Sequence, residues 1–453
     1  MDQSTVAGDE PSVSLEDVRE IDNLETQRPR WSLAARITLR FCVVYFGLFC
    51  IGTQIFGGLI NIPHVDVPDI SMLPPIHPLV VWTAKSIFQV HQPLVDSGSG
   101  SGDKTFDWVM SFCFLVTAAL ATILWSILDR RRTSYPGVLK WFRLFLRFAL
   151  ASQMLVYGLV KVFPMQMSYP SLIKLLEPYG NFSPMGVLWS SIGASPAYEI
   201  LCGSAELLAG LLLLIPRTTL LGALVAAGVT SQIFALNMTY DVPVKLFSLH
   251  LLLMALFLAA PELSRLLDFF LLDRAVARSS EPKLFQSRRA NRIALVLQLA
   301  FALWMIGIGV YQQINEWSVW GGGRPLSPLY GIWNVERLVI DGHERSALIT
   351  DYGRWRRILF DSPKYFTFER MDETFASYES EIDTRKQVME LTKLDDKKWK
   401  GELHYQRSGP DKLALEGVVG GQKMTLQLAR MDRNRLQLVS RGFHWVQEYP
   451  FNR

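Results

Sequence analysis

Nine polar side chains interrupt apolar stretches in the middle of this chain: Gln153, Tyr157 and Lys161, then Glu199 and Glu206, then Gln232 and Asn237, then Lys245 and His250. Carboxylates, ammonium groups, a phenol and an imidazole so placed can hydrogen-bond a polar head group and pass protons to or from it. An ionisable group at membrane depth costs roughly 2.5–3.5 kcal/mol on insertion scales, so each such residue is a candidate site residue. Gln153, Tyr157 and Lys161 follow i, i+4, i+8 spacing and share one helix face. Glu199 and Glu206, seven residues apart, also share a face, with Gly203 and Gly210 beside them to permit close helix approach. A carboxylate at mid-membrane needs a partner or a proton, and Lys161 is the natural partner of Glu206. Lys245 and His250 stand roughly 140° apart around their helix, so they form no single stripe. The plainer reading of the whole set is interhelical adhesion, with lysines snorkelling toward the interface.

Metal chemistry has no support in the spacing, because His250 has no His, Cys, Asp or Glu three or four residues away. Cys42, Cys50, Cys113 and Cys202 all lie in apolar segments without a CxxC pair, which reads as buried apolar cysteine.

The elements that must position this set are membrane spans. The chain has 453 residues, 49% hydrophobic and 19% charged, with positive mean hydropathy. A span needs about 20 apolar residues. Seven stretches qualify: Ile37 to Ile60, Phe106 to Leu128, Trp141 to Phe163, Ala197 to Ile215, Thr218 to Leu236, Val244 to Ala260, and Ile293 to Tyr311. Residues 1–30 are polar and acidic and read as a disordered cytosolic tail. Residues 31–136 hold two spans and a long outer loop, within which Leu79 to Val90 has the pattern of an interfacial helix. Residues 137–273 form a four-helix bundle. Its connection Pro164 to Pro196 is rich in proline and aromatics, the composition of a lid or re-entrant segment. Residues 274–320 form a basic cytosolic loop and the seventh span.

Loops on one side carry Arg28, Arg30, Arg36, Arg130, Arg131, Arg132, Lys140, Arg217, Arg265, Arg274, Arg278, Lys283, Arg288, Arg289 and Arg292. Those on the other side carry only Lys85, Lys104 and Lys174. This asymmetry places the N-terminus in the cytosol and the end of the seventh span outside a cell membrane. With a net charge of only +4, the basic residues are topology signals, and a nucleic-acid partner is not indicated.

After Gly321-Gly322-Gly323, read as a hinge, long apolar runs give way to short alternating ones. Nine runs from Trp333 to Leu436-Gln-Leu-Val have the length and period of strands, separated by turn signals such as Asp341-Gly342 and Gly420-Gly421. Residues 321–453 therefore predict an extramembrane antiparallel β-barrel, which removes exposed edges. Gly442-Phe443-His444-Trp445-Val446 would be its closing strand. Tyr330-Gly331-Ile332-Trp333 resembles the G-x-W opening of lipocalin-like barrels.

Three stretches of the bundle resemble the DoxX-like family of four-helix membrane proteins: Tyr157-Gly158-Leu-Val-Lys161-Val-Phe163, the run Glu206 to Gly210 with its leucines and Pro216-Arg217-Thr218, and Ala260-Pro261 to Asp268. The resemblance implies a quinone-linked redox subunit or accessory component, with quinone as the cofactor. Tyr157, Lys161, Glu206 and His250 would hold the quinone head group. No flavin, haem or iron–sulfur motif is present, so electrons would pass to or from a partner protein. The alternative is a non-enzymatic, membrane-anchored binding or scaffold protein whose outer barrel takes an apolar ligand or a protein partner. The residues leave open whether the chain is an enzyme. The ligand-binding candidates are Gln153, Tyr157, Lys161, Glu199, Glu206, Gln232, Lys245 and His250.

Overall fold

The computed structural model describes residues 31–62, 65, 67–276 and 283–452. The expected tail at residues 1–30, and Arg278 of the basic loop, lie outside the described residues. Among the described residues seven helices are long and apolar enough to cross a membrane: α1 (Leu33–Ile51), α2 (Thr105–Leu128), α3 (Pro136–Val162), α4 (Pro196–Leu214), α5 (Pro216–Thr239), α6 (Lys245–Phe270) and α7 (Arg288–Val319). They precede a closed eight-stranded antiparallel β-barrel.

The first span ends earlier than its apolar run suggests. α1 stops at Ile51, and a short helix, Gln54–Leu59, follows. A Cβ on Gly52 would stand 2.6 Å from the Phe114 ring, so the chain turns where α2 leaves no room for a side chain. Within the long loop expected between the first two spans, a helix runs from Ile76 to Ser86. It buries Val80 and Ala84 among Phe106, Met110 and Phe114 of α2 and leaves Val81 and Trp82 exposed, the two-faced pattern of an amphipathic helix.

The chain divides into two compact units: one of residues 1–60, 66–150 and 257–298, the other of 61–65, 151–256 and 299–453. In the first, buried Arg40 donates to Ser126 Oγ at 2.7 Å and to the Tyr135 hydroxyl at 2.5 Å. Tyr135 in turn donates to Asp129 Oδ2 at 2.9 Å. A buried guanidinium requires this many acceptors, and the network ties α1 to the end of α2.

The second unit holds the candidate site and the barrel. The barrel strands are β1 (Gly331–Ile340), β2 (Trp355–Phe360), β3 (Tyr365–Arg370), β4 (Phe375–Asp383), β5 (Val388–Thr392), β6 (Lys400–Gly409), β7 (Lys412–Val419) and β8 (Gln422–Arg430). Each pairs with the next, and β8 pairs back to β1 from Trp333↔Arg430 to Ile340↔Met424. Two bulges, between Val335 and Arg337 and between Trp355 and Arg357, bend neighbouring strands β1 and β2. Buried Arg354 donates from Nη2 to Val335 O at 2.9 Å and from Nη1 to Trp355 O, satisfying carbonyls that the bulges release from the ladder. The interior is filled: Trp333, Ile358, Phe360, Phe366, Met389, Leu391, Leu403, Leu415 and Leu426 are each 0% exposed and belong to one cluster.

Closure by β8 corrects the reading of the last strands. Leu436-Gln-Leu-Val is not a strand: Gln437–Ser440 is one helical turn. Gly442 to Val446 forms no strand and leaves Phe443, Trp445 and Val446 exposed. At the triple glycine the chain passes close to an aromatic ring, since a Cβ on Gly323 would stand 2.4 Å from the Trp317 ring. The connection between α3 and α4 reaches the barrel. Leu172 packs with Ile332 and Leu359, backed by Tyr330, Phe375 and Leu436.

Candidate functional site

Close packing of side chains holds helices together in lipid, yet α3, α4, α5 and α6 leave a cavity of about 90 Å³. Three helix positions set its polar side. Tyr157 and Lys161 point inward from α3, one turn apart, and Glu206 does so from α4. Two glycines bring these helices together. A Cβ on Gly203 would lie 2.6 Å from Lys161 Cβ, and one on Gly158 would lie 2.7 Å from the Leu207 nitrogen. At that separation Lys161 Nζ reaches Glu206 Oε1 at 2.6 Å, with the Tyr157 carbonyl 3.4 Å from the same nitrogen. Lys161 is 6% exposed and Glu206 1%, so the pair is withdrawn from solvent and each charge depends on the other.

The remaining walls come from less regular parts. Met167, Leu188, Trp189 and Ile192 belong to the connection between α3 and α4, with its short helix Pro184–Gly193. Ile233 and Leu236 belong to α5, and Phe247 and Leu251 to α6. This is the composition of a small-molecule site: mostly apolar, with a few convergent polar groups. Asn237 closes one polar corner, donating from Nδ2 to Ser248 Oγ at 3.0 Å.

Two oxygens of cavity-lining residues stand out. Glu206 Oε2 and Gln166 Oε1 are both buried, and neither has a hydrogen-bond partner among the described residues. Each is an acceptor, and a buried polar atom left unpaired costs about 1–3 kcal/mol. The cavity thus complements a group that donates hydrogen bonds.

Of the eight candidate residues, the structure brings Tyr157, Lys161 and Glu206 together at the cavity. Gln153 is buried beside it and donates to Ser152 Oγ at 3.2 Å. Glu199 is buried on α4 and accepts from the Met167 N–H at 2.8 Å, so it anchors one wall. His250 is buried with Nδ1 2.7 Å from Leu246 O, within its own helix. Lys245 pairs with Asp241 at 2.9 Å on the turn between α5 and α6. Gln232 is exposed on the far side of α5; it stands five residues from Asn237, roughly 140° around the helix. The polar site is therefore smaller than the set of eight candidates. Gln166, Trp189 and Ser248 complete it, and of these only Ser248 lies on a span.

Seven span-length helices among the described residues, a polar-footed cavity between α3, α4, α5 and α6, and a closed β-barrel after them define the class: a multi-pass helical membrane protein with an extramembrane barrel. No family model and no solved structure matches the chain. Over 148 residues it is 31% identical to an uncharacterized protein, YwoB, of Bacillus subtilis strain 168, a match covering 31% of this chain and 84% of that protein. Through this stretch the chain belongs to the family of YwoB.

Proposed function

We propose that the bundle cavity binds the ring of a quinol and that the chain serves as a quinone-linked redox subunit of a cell membrane, with its N-terminus cytosolic and its barrel outside. The observation that carries this is the pair of partnerless acceptors, Glu206 Oε2 and Gln166 Oε1, in an otherwise apolar cavity. A quinol donates from two hydroxyls, whereas its oxidised form only accepts. Bound there, a quinol supplies two electrons and two protons on oxidation to quinone. Glu206 accepts one hydroxyl and Lys161 holds that carboxylate in place at 2.6 Å. Trp189 and Phe247 shield the ring from lipid and water. On oxidation one proton passes to the Glu206 carboxylate and the other to solvent, and the two electrons go to a partner protein. The alternative, an apolar ligand held inside the barrel, meets an interior already filled by Trp333, Phe360, Phe366 and their neighbours.

The test is extraction and mass analysis of quinones bound to purified protein, wild type beside Glu206→Gln and Gln166→Leu. Quinone or quinol retained by the wild type and depleted in both variants supports the reading. Ordinary phospholipid alone in all three samples overturns it, leaving Lys161 and Glu206 as interhelical adhesion.

A further inference from the structure

Where the barrel meets the connection between α3 and α4 there is a second, larger recess, of about 450 Å³. Arg430 and Arg433 line it together with Asp411 and Asp432. Among the described residues none of these four charges belongs to an ion pair, although two cations and two anions share one small space.

The arginines are held in place by neutral groups. Arg433 donates to the Tyr330 hydroxyl at 3.3 Å and lies over the Tyr169 ring, 5.4 Å from its centroid. Its Nε is buried without a hydrogen-bond partner among the described residues. Among the described residues, the Arg430 side chain donates at long range, 3.4 Å to the Tyr330 carbonyl. Gly331 leaves room for it, with φ of +143° and a position where a Cβ would stand 3.1 Å from Arg430 Nε. An arginine with unused, forked donors is matched to phosphate or carboxylate. The floor is apolar, formed by Leu172 and Ile332.

We infer that this recess binds a zwitterionic phosphate ester, a phosphate with a neighbouring ammonium group as in a phosphoethanolamine head group. Arg430 and Arg433 take the phosphate, and Asp411 and Asp432 take the ammonium. Leu172 lies on the connection between two membrane-crossing helices, so both a lipid and a soluble ester can supply that chemistry. This inference does not rest on the quinol reading, because no residue is shared between the two sites.

The test uses the full chain in nanodiscs of equal parts phosphatidylethanolamine, phosphatidylglycerol and phosphatidylcholine, with retained lipid read by native mass spectrometry. Phosphatidylethanolamine should be enriched on the wild type. Arg430→Gln/Arg433→Gln should lower that enrichment about tenfold, the factor for loss of roughly one charge-assisted hydrogen bond. Asp411→Asn should shift the preference toward phosphatidylglycerol, a gain that misfolding cannot produce. Displacement of the lipid by millimolar soluble phosphoethanolamine, or binding of that ester without lipid enrichment, identifies a free ester as the source. Equal retention of the three lipids with no binding of the soluble ester, or the same pattern in wild type and double-arginine variant, overturns the assignment.

Discussion

Lys161 and Glu206 meet at 2.6 Å because Gly158 and Gly203, one turn away on the same two helices, let α3 and α4 touch along their backbones. The ion pair and the glycine contact are one device. The first sets the chemistry of the cavity, and the second sets the distance at which that chemistry works.

Breaking the pair on one side should be far more damaging than removing both partners. Lys161→Met leaves a buried carboxylate and Glu206→Leu a buried ammonium, each expected to cost about 3–5 kcal/mol. The double variant replaces both by apolar groups of similar size and should recover most of that loss. Unfolding of the full chain in detergent, analysed as a double-mutant cycle, checks this. Additive losses would mean that the two side chains do not depend on each other.

The glycine contact predicts a sharp difference between two substitutions of the same kind. Gly203→Ala forces a methyl group against Lys161 Cβ and against the Gly158 carbonyl, 2.7 Å away. Overpacking of this sort costs typically 1–3 kcal/mol. It should also move Lys161 away from Glu206 and lower quinone retention. Gly228→Ala on α5 meets nothing within 4 Å and should stabilise the helix by up to about 1 kcal/mol through propensity alone. Thermal unfolding of both variants beside the wild type decides whether the close approach matters.

Much of this was legible in the chain itself. The seven spans show because hydrocarbon demands long apolar runs, and Lys161 opposite Glu206 shows because seven- and four-residue steps stay on one helix face. Gln166 and Trp189 were not legible, since the connection that carries them has no period to reveal which side chains turn inward. Gln232 was misplaced because polarity alone does not report direction around a helix. Leu436-Gln-Leu-Val misled for a related reason: four alternating residues are too few to separate a strand from one turn of helix. Asp432 caps the turn ahead of it, accepting from the Asn434 N–H at 2.9 Å.

In the barrel, acid sensitivity should be traceable to one loop. Arg345 donates to both carboxylate oxygens of Asp351, at 2.5 and 2.8 Å, and this contact holds the Asp351 carboxyl below its ordinary value. A carboxyl depressed in the folded state contributes stability above its unfolded pKa of about 3.9, and that contribution is lost as pH falls through the folded value. Protection of residues 345–354 against amide exchange should therefore hold from pH 7 to about 5 and fall below about 4. In Asp351→Asn protection should start lower and lose that acid step. Hydrogen-exchange mass spectrometry of both proteins at matched pH is the measurement, and parallel acid profiles would refute the assignment.

Because β8 closes the ring against β1, the chain beyond Ser440 should be dispensable for the barrel. Trp333 at the heart of the cluster donates its indole N–H to Leu329 O at 2.9 Å, and its strand already has neighbours on both sides in β2 and β8. A stop after Ser440 removes Phe443, Trp445 and Tyr449, which are 76%, 91% and 84% exposed, and no ladder pair. It retains Leu436, which packs with Leu172 and Ile332. Barrel melting in the truncated protein should match the wild type within about 0.5 kcal/mol. Phe366→Ala, by contrast, empties a fully buried position in the same cluster and should cost about 3–5 kcal/mol. A truncation that unfolds the barrel as strongly as Phe366→Ala would mean that the last residues supply a strand after all.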